Sequence, residues 1–180
     1  SLPNFGPKGW DRLGGDIDGE GSSDRSGRSV SLSADGTIVA IGAPDNKGAI
    51  GSYHGHVRVY QYNASKPPAV TNQDSPDYGP VGWTRLGGDI DGEDNNDWSG
   101  WSVSLSADGT ILAIGAKYNG GNGTDSGHVI VYQRNINNTT VSPVGWTRLG
   151  GDIDGGAQGD QSGYSVSLSA DGTIVAIGAP

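Results

Sequence analysis

Cysteine and methionine are absent from this 180-residue chain, and phenylalanine occurs once, at Phe5. Without cysteine there is no disulfide framework, no thiolate metal site and no cysteine nucleophile. Apolar residues make up only 33% of the chain, and no apolar run reaches the length of a membrane span. Basic residues are scarce: 11 lysines and arginines face 20 acids, for a formal charge of −9. A phosphate-binding face needs the opposite balance, so the composition argues against nucleic acid as a partner. There is no Gly-x-Ser-x-Gly elbow and no histidine-rich metal motif. The chain opens at Ser1 with neither methionine nor signal peptide, as a processed protein or a piece of a longer one would.

What is abundant is glycine, 33 residues of it. Glycine at that level suits short strands joined by tight turns, because it supplies positive φ without steric cost. The strongest signal is self-similarity. Residues 10–43, 83–116 and 146–179 align without a gap, each beginning at a tryptophan and ending in Gly-Ala. The tryptophans are 73 and then 63 residues apart, and all the length variation falls after the Gly-Ala. A second piece, Gly-His-Val-x-Val-Tyr-Gln, fills that variable region twice, at 55–61 and 127–133.

The module reads as strands. Ser29-Val-Ser-Leu-Ser33 alternates strictly, and Ala34-Asp-Gly36 is a hairpin signal. Thr37 to Gly42 is apolar on both faces, the pattern of a strand buried between two sheets. His56 to Tyr60 alternates again, and residues 82–87 form a short fourth strand. No segment has a helical period. The expected fold is all-β: tandem four-stranded antiparallel blades of a β-propeller, open or fragmentary in this chain. A β-helix is the alternative, but its rungs are far shorter than this period. Residues 1–27 read as the outer strand and acidic loop of a preceding blade, 28–92 as the first blade, 93–155 as the second and 156–180 as the first half of a third. Trp10, Trp83 and Trp146 are expected to pack between blades.

The module resembles the FG-GAP repeats of integrin-α-type propellers. Ser26-Gly27 before Ser29-Val-Ser stands where that family has Phe-Gly, and Gly42-Ala-Pro44 and Gly178-Ala-Pro180 match its Gly-Ala-Pro. The middle copy departs, with Gly115-Ala-Lys117. The Trp-x-x-Leu-Gly-x-Asp-Ile-Asp-Gly pattern looks like the variant found in surface and secreted proteins of marine microbes. The resemblance implies a propeller and an extracellular or cell-surface location. Family members that bind calcium carry Asp-x-Asp-x-Asp-Gly between the first two strands. Here that connection is only Ser33-Ala-Asp-Gly-Thr37, too few oxygens for the ion, so that site does not transfer.

Acids recur elsewhere: Asp16, Asp18 and Asp24, then Asp89, Asp91 and Asp97, then Asp152, Asp154 and Asp160. They are placed in the connection between blades. Carboxylates two residues apart on a glycine-bearing loop are candidate calcium ligands. The competing reading is a loop stiffened by side chain to backbone hydrogen bonds, with Arg12, Arg85 and Arg148 as countercharges. His56 and His128 hold equivalent positions and read as structural. Glycosylation sequons occur at Asn63, Asn122, Asn137 and Asn138, with Asn63 and the Asn137/Asn138 pair following the same strand in successive modules. The aromatics Trp98, Trp101 and Tyr164 sit at positions that differ between copies and are candidates for contacting a partner.

Threefold repetition marks a scaffold, so no enzyme is expected. The function expected is that of an extracellular structural repeat glycoprotein that self-assembles into a surface layer, sheath or filament. The alternative is an adhesive or ligand-binding propeller that depends on calcium. Expected partners are further copies of the chain or flanking blades of a longer one, together with N-linked glycans. The internal-type strand at the last residues supports that expectation.

Overall fold

The computed structural model describes residues 9–47, 53–66, 69–71 and 79–180. All of its regular structure is strand. The first sheet contains β1 (Ser29–Leu32), β2 (Ile38–Ala43), β3 (His56–Tyr62), β4 (Trp83–Arg85) and β5 (Ile90–Asp91). The second repeats it with β6 (Ser102–Leu105), β7 (Ile111–Ala116), β8 (His128–Arg134), β9 (Trp146–Arg148) and β10 (Ile153–Asp154). A third, two-stranded sheet pairs β11 (Ser165–Leu168) with β12 (Val175–Gly178). Every pairing within a sheet is antiparallel, and the order β1-β2-β3-β4 recurs as β6-β7-β8-β9. The sheets are open and succeed one another as propeller-type blades.

The first hairpin shows how turn chemistry sets the register. Gly36 sits at φ +71 and its N–H donates to Ser33 O, which closes a tight turn. The Asp35 carboxylate accepts from Ser33 Oγ, Thr37 N and Thr37 Oγ1, between 2.7 and 2.9 Å. The same Ser-Ala-Asp-Gly-Thr turn closes the hairpins at Asp108 and Asp171. These bonds hold the Asp35 and Asp108 carboxyls below the usual range and bring Asp171 down to about 2, the serine hydroxyl contributing most.

In the sequence reading the module's outer strand ended at Gly87 and the acids after it lay in a loop. The structure differs. Ile90 and Asp91 form β5 and continue along β3, pairing Asp91 with His56 and Ile90 with Val57. The fourth strand is one strand interrupted by Leu86–Asp89, so Asp91, and likewise Asp154 in β10, belongs to a sheet. Isoleucine pairs into the sheet here because it drops into the core: Ile90 is 1% exposed.

The core lies between modules. One face of the first sheet (Ile38, Ala40, Val57, Val59) packs against Val103, Leu105, Leu112 and Ile114 of the second. Its other face (Val39, Tyr60, Trp83) packs against Ile17. The alternation of the innermost strand serves this stacking. Val103 and Leu105 enter the core against the first sheet, whereas the serines point the other way. Ser31 Oγ accepts from Leu105 N and Ser104 Oγ from Leu168 N, each at 2.9 Å across an interface. Ser29 Oγ and Ser102 Oγ donate to Gly100 O and Gly163 O at 2.7 and 2.8 Å. Gly42 and Gly115 are needed there, because a Cβ would collide with those same carbonyls.

The tryptophans form the outer lock. Trp146 Nε1 donates to Leu86 O at 2.8 Å, and Trp83 Nε1 to Leu13 O at 3.2 Å. A Cβ on Gly14 would collide with the Val81 carbonyl and the Trp83 indole, and one on Gly87 with the Val144 carbonyl beside the Trp146 indole; both glycines have positive φ. Burial follows: Trp146 is 1% and Trp83 8% exposed, whereas Trp10 is 75% exposed.

Candidate functional site

The recurring aspartates take three separate roles. The first of each set pairs with the arginine four residues earlier: Arg12 with Asp16 at 3.0 Å, Arg85 with Asp89 at 2.8 Å, and Arg148 with Asp152. The last, at 24, 97 and 160, accepts the backbone N–H of Gly21, Asp94 and Ala157, each at 2.8 Å. Asp24 and Asp97 also accept from Asn46 and Asn119, at 3.0 and 2.9 Å. Burial raises the Asp97 carboxyl above its ordinary range despite those bonds. The middle aspartates Asp91 and Asp154 stand opposite His56 and His128 in the sheets. Burial, and then the charge of Asp89, raises Asp91. Asp18 precedes the first sheet, where no strand is formed.

Among the described residues, the ligand-type side chains that do converge come from different segments. Glu20, His56 and Asp89 have donor atoms within 4.8 Å of one another, and so do Glu93, His128 and Asp152. Each set bridges an interface: the glutamate comes from the connection before the sheet, the histidine from its third strand, the aspartate from the outer-strand interruption. The histidines are 4% and 2% exposed, and burial lowers the pKa of both. Sequence reading treated them as structural and did not include the glutamates.

The two clusters differ in their cations. In the first, Arg58 Nε and Nη2 grip Asp89 at 2.7 and 2.8 Å, and Nη2 also contacts Glu20. Burial opposes the Arg58 charge, but the paired Asp89 outweighs it and the guanidinium is held still more firmly protonated. Asp89, in turn, stays ionised against its own burial because of Arg58. In the second cluster the matching strand position is Ile130, buried at 6% exposure. Only Arg148 serves both carboxylates there, reaching Glu93 at 2.6 Å and also contacting Asp152.

Beside the second cluster lies an open cleft of about 980 Å³. Its walls carry six carboxylates: Glu93, Asp94, Asp97, Asp125, Asp152 and Asp154.

Residues 90–132 match the FG-GAP repeat family. The match runs from Ile90 in β5 to Tyr132 in β8, so it takes in Glu93, His128 and most of the cleft wall. No curated protein matches the chain. Within the matched segment the short hairpin at Asp108 has its carboxylate engaged by Ser106 and Thr110.

The aromatics at variable positions stack on one another. Trp98 and Trp101 rings lie 5.6 Å apart, Trp98 meets Tyr118 edge-on at 4.9 Å, and Trp101 reaches Tyr164 at 5.8 Å. Lys117, 5% exposed, lies inside this group with Nζ 3.5 Å from the Trp101 centroid and 4.4 Å from that of Tyr118. Arg28 covers the Trp101 ring at 3.9 Å. The stripe begins on a strained backbone, since Arg25, Trp98 and Gln161 all sit at positive φ (54, 56 and 51°). A left-handed residue with a Cβ costs about 1–2 kcal/mol, offset at Arg25 by its pairing with Asp45 and at Trp98 by its ring contacts.

The sequons are unequal. Asn138 Nδ2 donates to Val141 O, Pro143 O and Trp146 O at 2.8–3.0 Å, and Asn122 Nδ2 to Gly155 O and Gly156 O at 2.9 and 3.2 Å. Asn63 and Asn137 are exposed, and their amide nitrogens donate to nothing among the described residues. Both follow the far ends of β3 and β8, away from the histidine ends that face the acids.

Proposed function

We propose that the chain is a non-enzymatic, extracellular structural glycoprotein. Its FG-GAP-type modules would assemble, with further copies or with flanking blades of a longer chain, into a surface layer, sheath or filament. The observation that carries this reading is the repetition of one interface. The tryptophan lock, the serine bonds and the glycine contacts recur from module to module with the same partners. Polar residues that could have borne chemistry are used to tie modules together, as in stacked repeat proteins. Glycans at Asn63 and Asn137 would coat the end of the blades remote from the acids. Electron microscopy of native material tests the reading. Ordered polymers are expected, and native protein that sediments as dispersed single copies overturns it.

A second reading, an adhesive or ligand-binding propeller that uses calcium, is favoured by the six-carboxylate cleft. A calcium-dependent rise in Tm, accompanied by calcium-dependent retention on a cell or glycan surface, separates it from the first.

A further inference from the structure

The two histidine clusters occupy the same place in consecutive modules but do not balance their charges in the same way. In the first, the carboxylates Glu20 and Asp89 are met by two guanidinium groups, Arg58 and Arg85. In the second, among the described residues, Glu93 and Asp152 are met by Arg148 alone, because Ile130 stands where Arg58 would be. A further aspartate, Asp91 or Asp154, lies opposite the histidine in each case. The second cluster is therefore one cation short of the first.

His128 points to what is missing. Its side chain is 98% buried, being 2% exposed, yet neither ring nitrogen has a hydrogen bond or an ion pair among the described residues. His56, by contrast, has Nδ1 3.8 Å from Glu20. A ring nitrogen of His128 faces the carboxylates of Glu93 and Asp152, all within 4.8 Å, and the charges of Glu93, Asp97 and Asp154 act on the imidazole.

We propose that Glu93, His128 and Asp152 form a binding site for a divalent transition-metal ion of the zinc type, in the position that Arg58 fills one module earlier. The donor set decides the class of ion. Calcium takes six or more oxygens, whereas an imidazole with two carboxylates suits zinc and its neighbours. Tetrahedral coordination with bonds of about 2.1 Å places donors about 3.4 Å apart. The donors need to close by about 1.4 Å at most, within reach of the surface carboxylates of Glu93 and Asp152. Arg148, its side chain 35% exposed, swings out to solvent as the ion takes over its carboxylates. Three protein ligands leave a fourth position for water, on the side where Glu93 and Asp152 line the cleft. The site is independent of whether the array is a scaffold or an adhesin, and it joins the first sheet's connection to the second sheet.

The test uses the whole chain and zinc or cobalt salts as probes. Titration against a chromophoric chelator should give one tight zinc site per chain, and the cobalt form should show the visible bands of four-coordinate geometry. His128→Ala should weaken binding at least 100-fold. Ile130→Arg should abolish it while leaving the melting temperature of the metal-free protein close to that of the parent, since the first cluster already houses an arginine there. Arg58→Ile should add a second site. Absence of saturable zinc binding below about 100 μM (a ΔG weaker than about −5.5 kcal/mol) overturns the proposal. So does zinc binding that both His128→Ala and Ile130→Arg leave intact, and so does calcium binding alone.

Discussion

Trp146 Nε1 donates to Leu86 O across the interface between the first and second sheets, 2.8 Å from one module to the next. Trp83 makes the same bond to Leu13, and Trp10 stands exposed. The three tryptophans share the context Gly-Trp-x-Arg-Leu-Gly-Gly-Asp-Ile-Asp-Gly and differ in what they reach. Trp146→Ala should cost about 3–5 kcal/mol, the range for deleting a buried aromatic, with Trp10→Ala near zero in the same chain. Urea unfolding of the two variants measures this; equal losses would show that the exposed and docked indoles are energetically alike, against the lock.

Asn138 and Asn137 are adjacent sequons with opposite expected behaviour. Glycopeptide mapping of native material should find sugar on Asn63 and Asn137 and none on Asn138 or Asn122. Asn138→Ala should destabilise by about 1 kcal/mol, because two part-buried carbonyls and one exposed carbonyl lose their donor. Asn137→Ala should be neutral. A glycan on Asn138 would require its three backbone bonds to be broken and would contradict the described loop.

The Ser-Ala-Asp-Gly-Thr turns give an acid-dependent contribution. Folded-state carboxyl values at Asp35, Asp108 and Asp171 are depressed, so the stabilisation is complete above the unfolded value of 3.8 and is lost as pH falls toward the folded value, about 2 at Asp171. Asp108→Ala should lower Tm at pH 7, and the gap from the parent should shrink progressively below pH 4. A gap that is constant from pH 7 to pH 2.5 would rule out the carboxylate as its origin.

Lys117 is a buried cation held by aromatic faces. Lys117→Met keeps the aliphatic stem and removes the charge, and should cost about 1–2 kcal/mol. A double-mutant cycle with Trp101→Leu should return a coupling of similar size; independent, additive losses would mean the ammonium is indifferent to the ring.

Strands and repeats were legible in the sequence because alternation and turn residues are local signals. Ser29-Val-Ser-Leu and its copies announce both a strand and its two faces. β5 and β10 were not legible: Asp-Ile-Asp has no period of its own, and its partners, His56 and Val57 or His128 and Val129, lie outside its own motif. The family resemblance was visible in Gly-Ala-Pro of the outer copies, and the family match at 90–132 falls on the middle copy, which carries Gly115-Ala-Lys117 instead. The histidine clusters were hidden for a further reason. Each draws one residue from each of three segments, so no spacing within a motif reveals it. The one available signal was the exchange of Arg58 for Ile130 two residues after equivalent histidines, a buried charge traded for an apolar side chain inside an otherwise repeated strand.

The serine and valine faces of the innermost strand differ, and that difference has a consequence for symmetry. Ser31 is offered to Leu105 of the following sheet, while Val103 and Leu105 are offered to the preceding one. The contact is heterologous: the surface that gives is not the surface that receives. Two modules cannot satisfy each other about a twofold axis through this interface, so a closed pair is excluded by handedness of contact alone. Repetition of such an operator has only two outcomes, a ring if the rotation closes and an open helix if it does not. Which one forms depends on the angle per module.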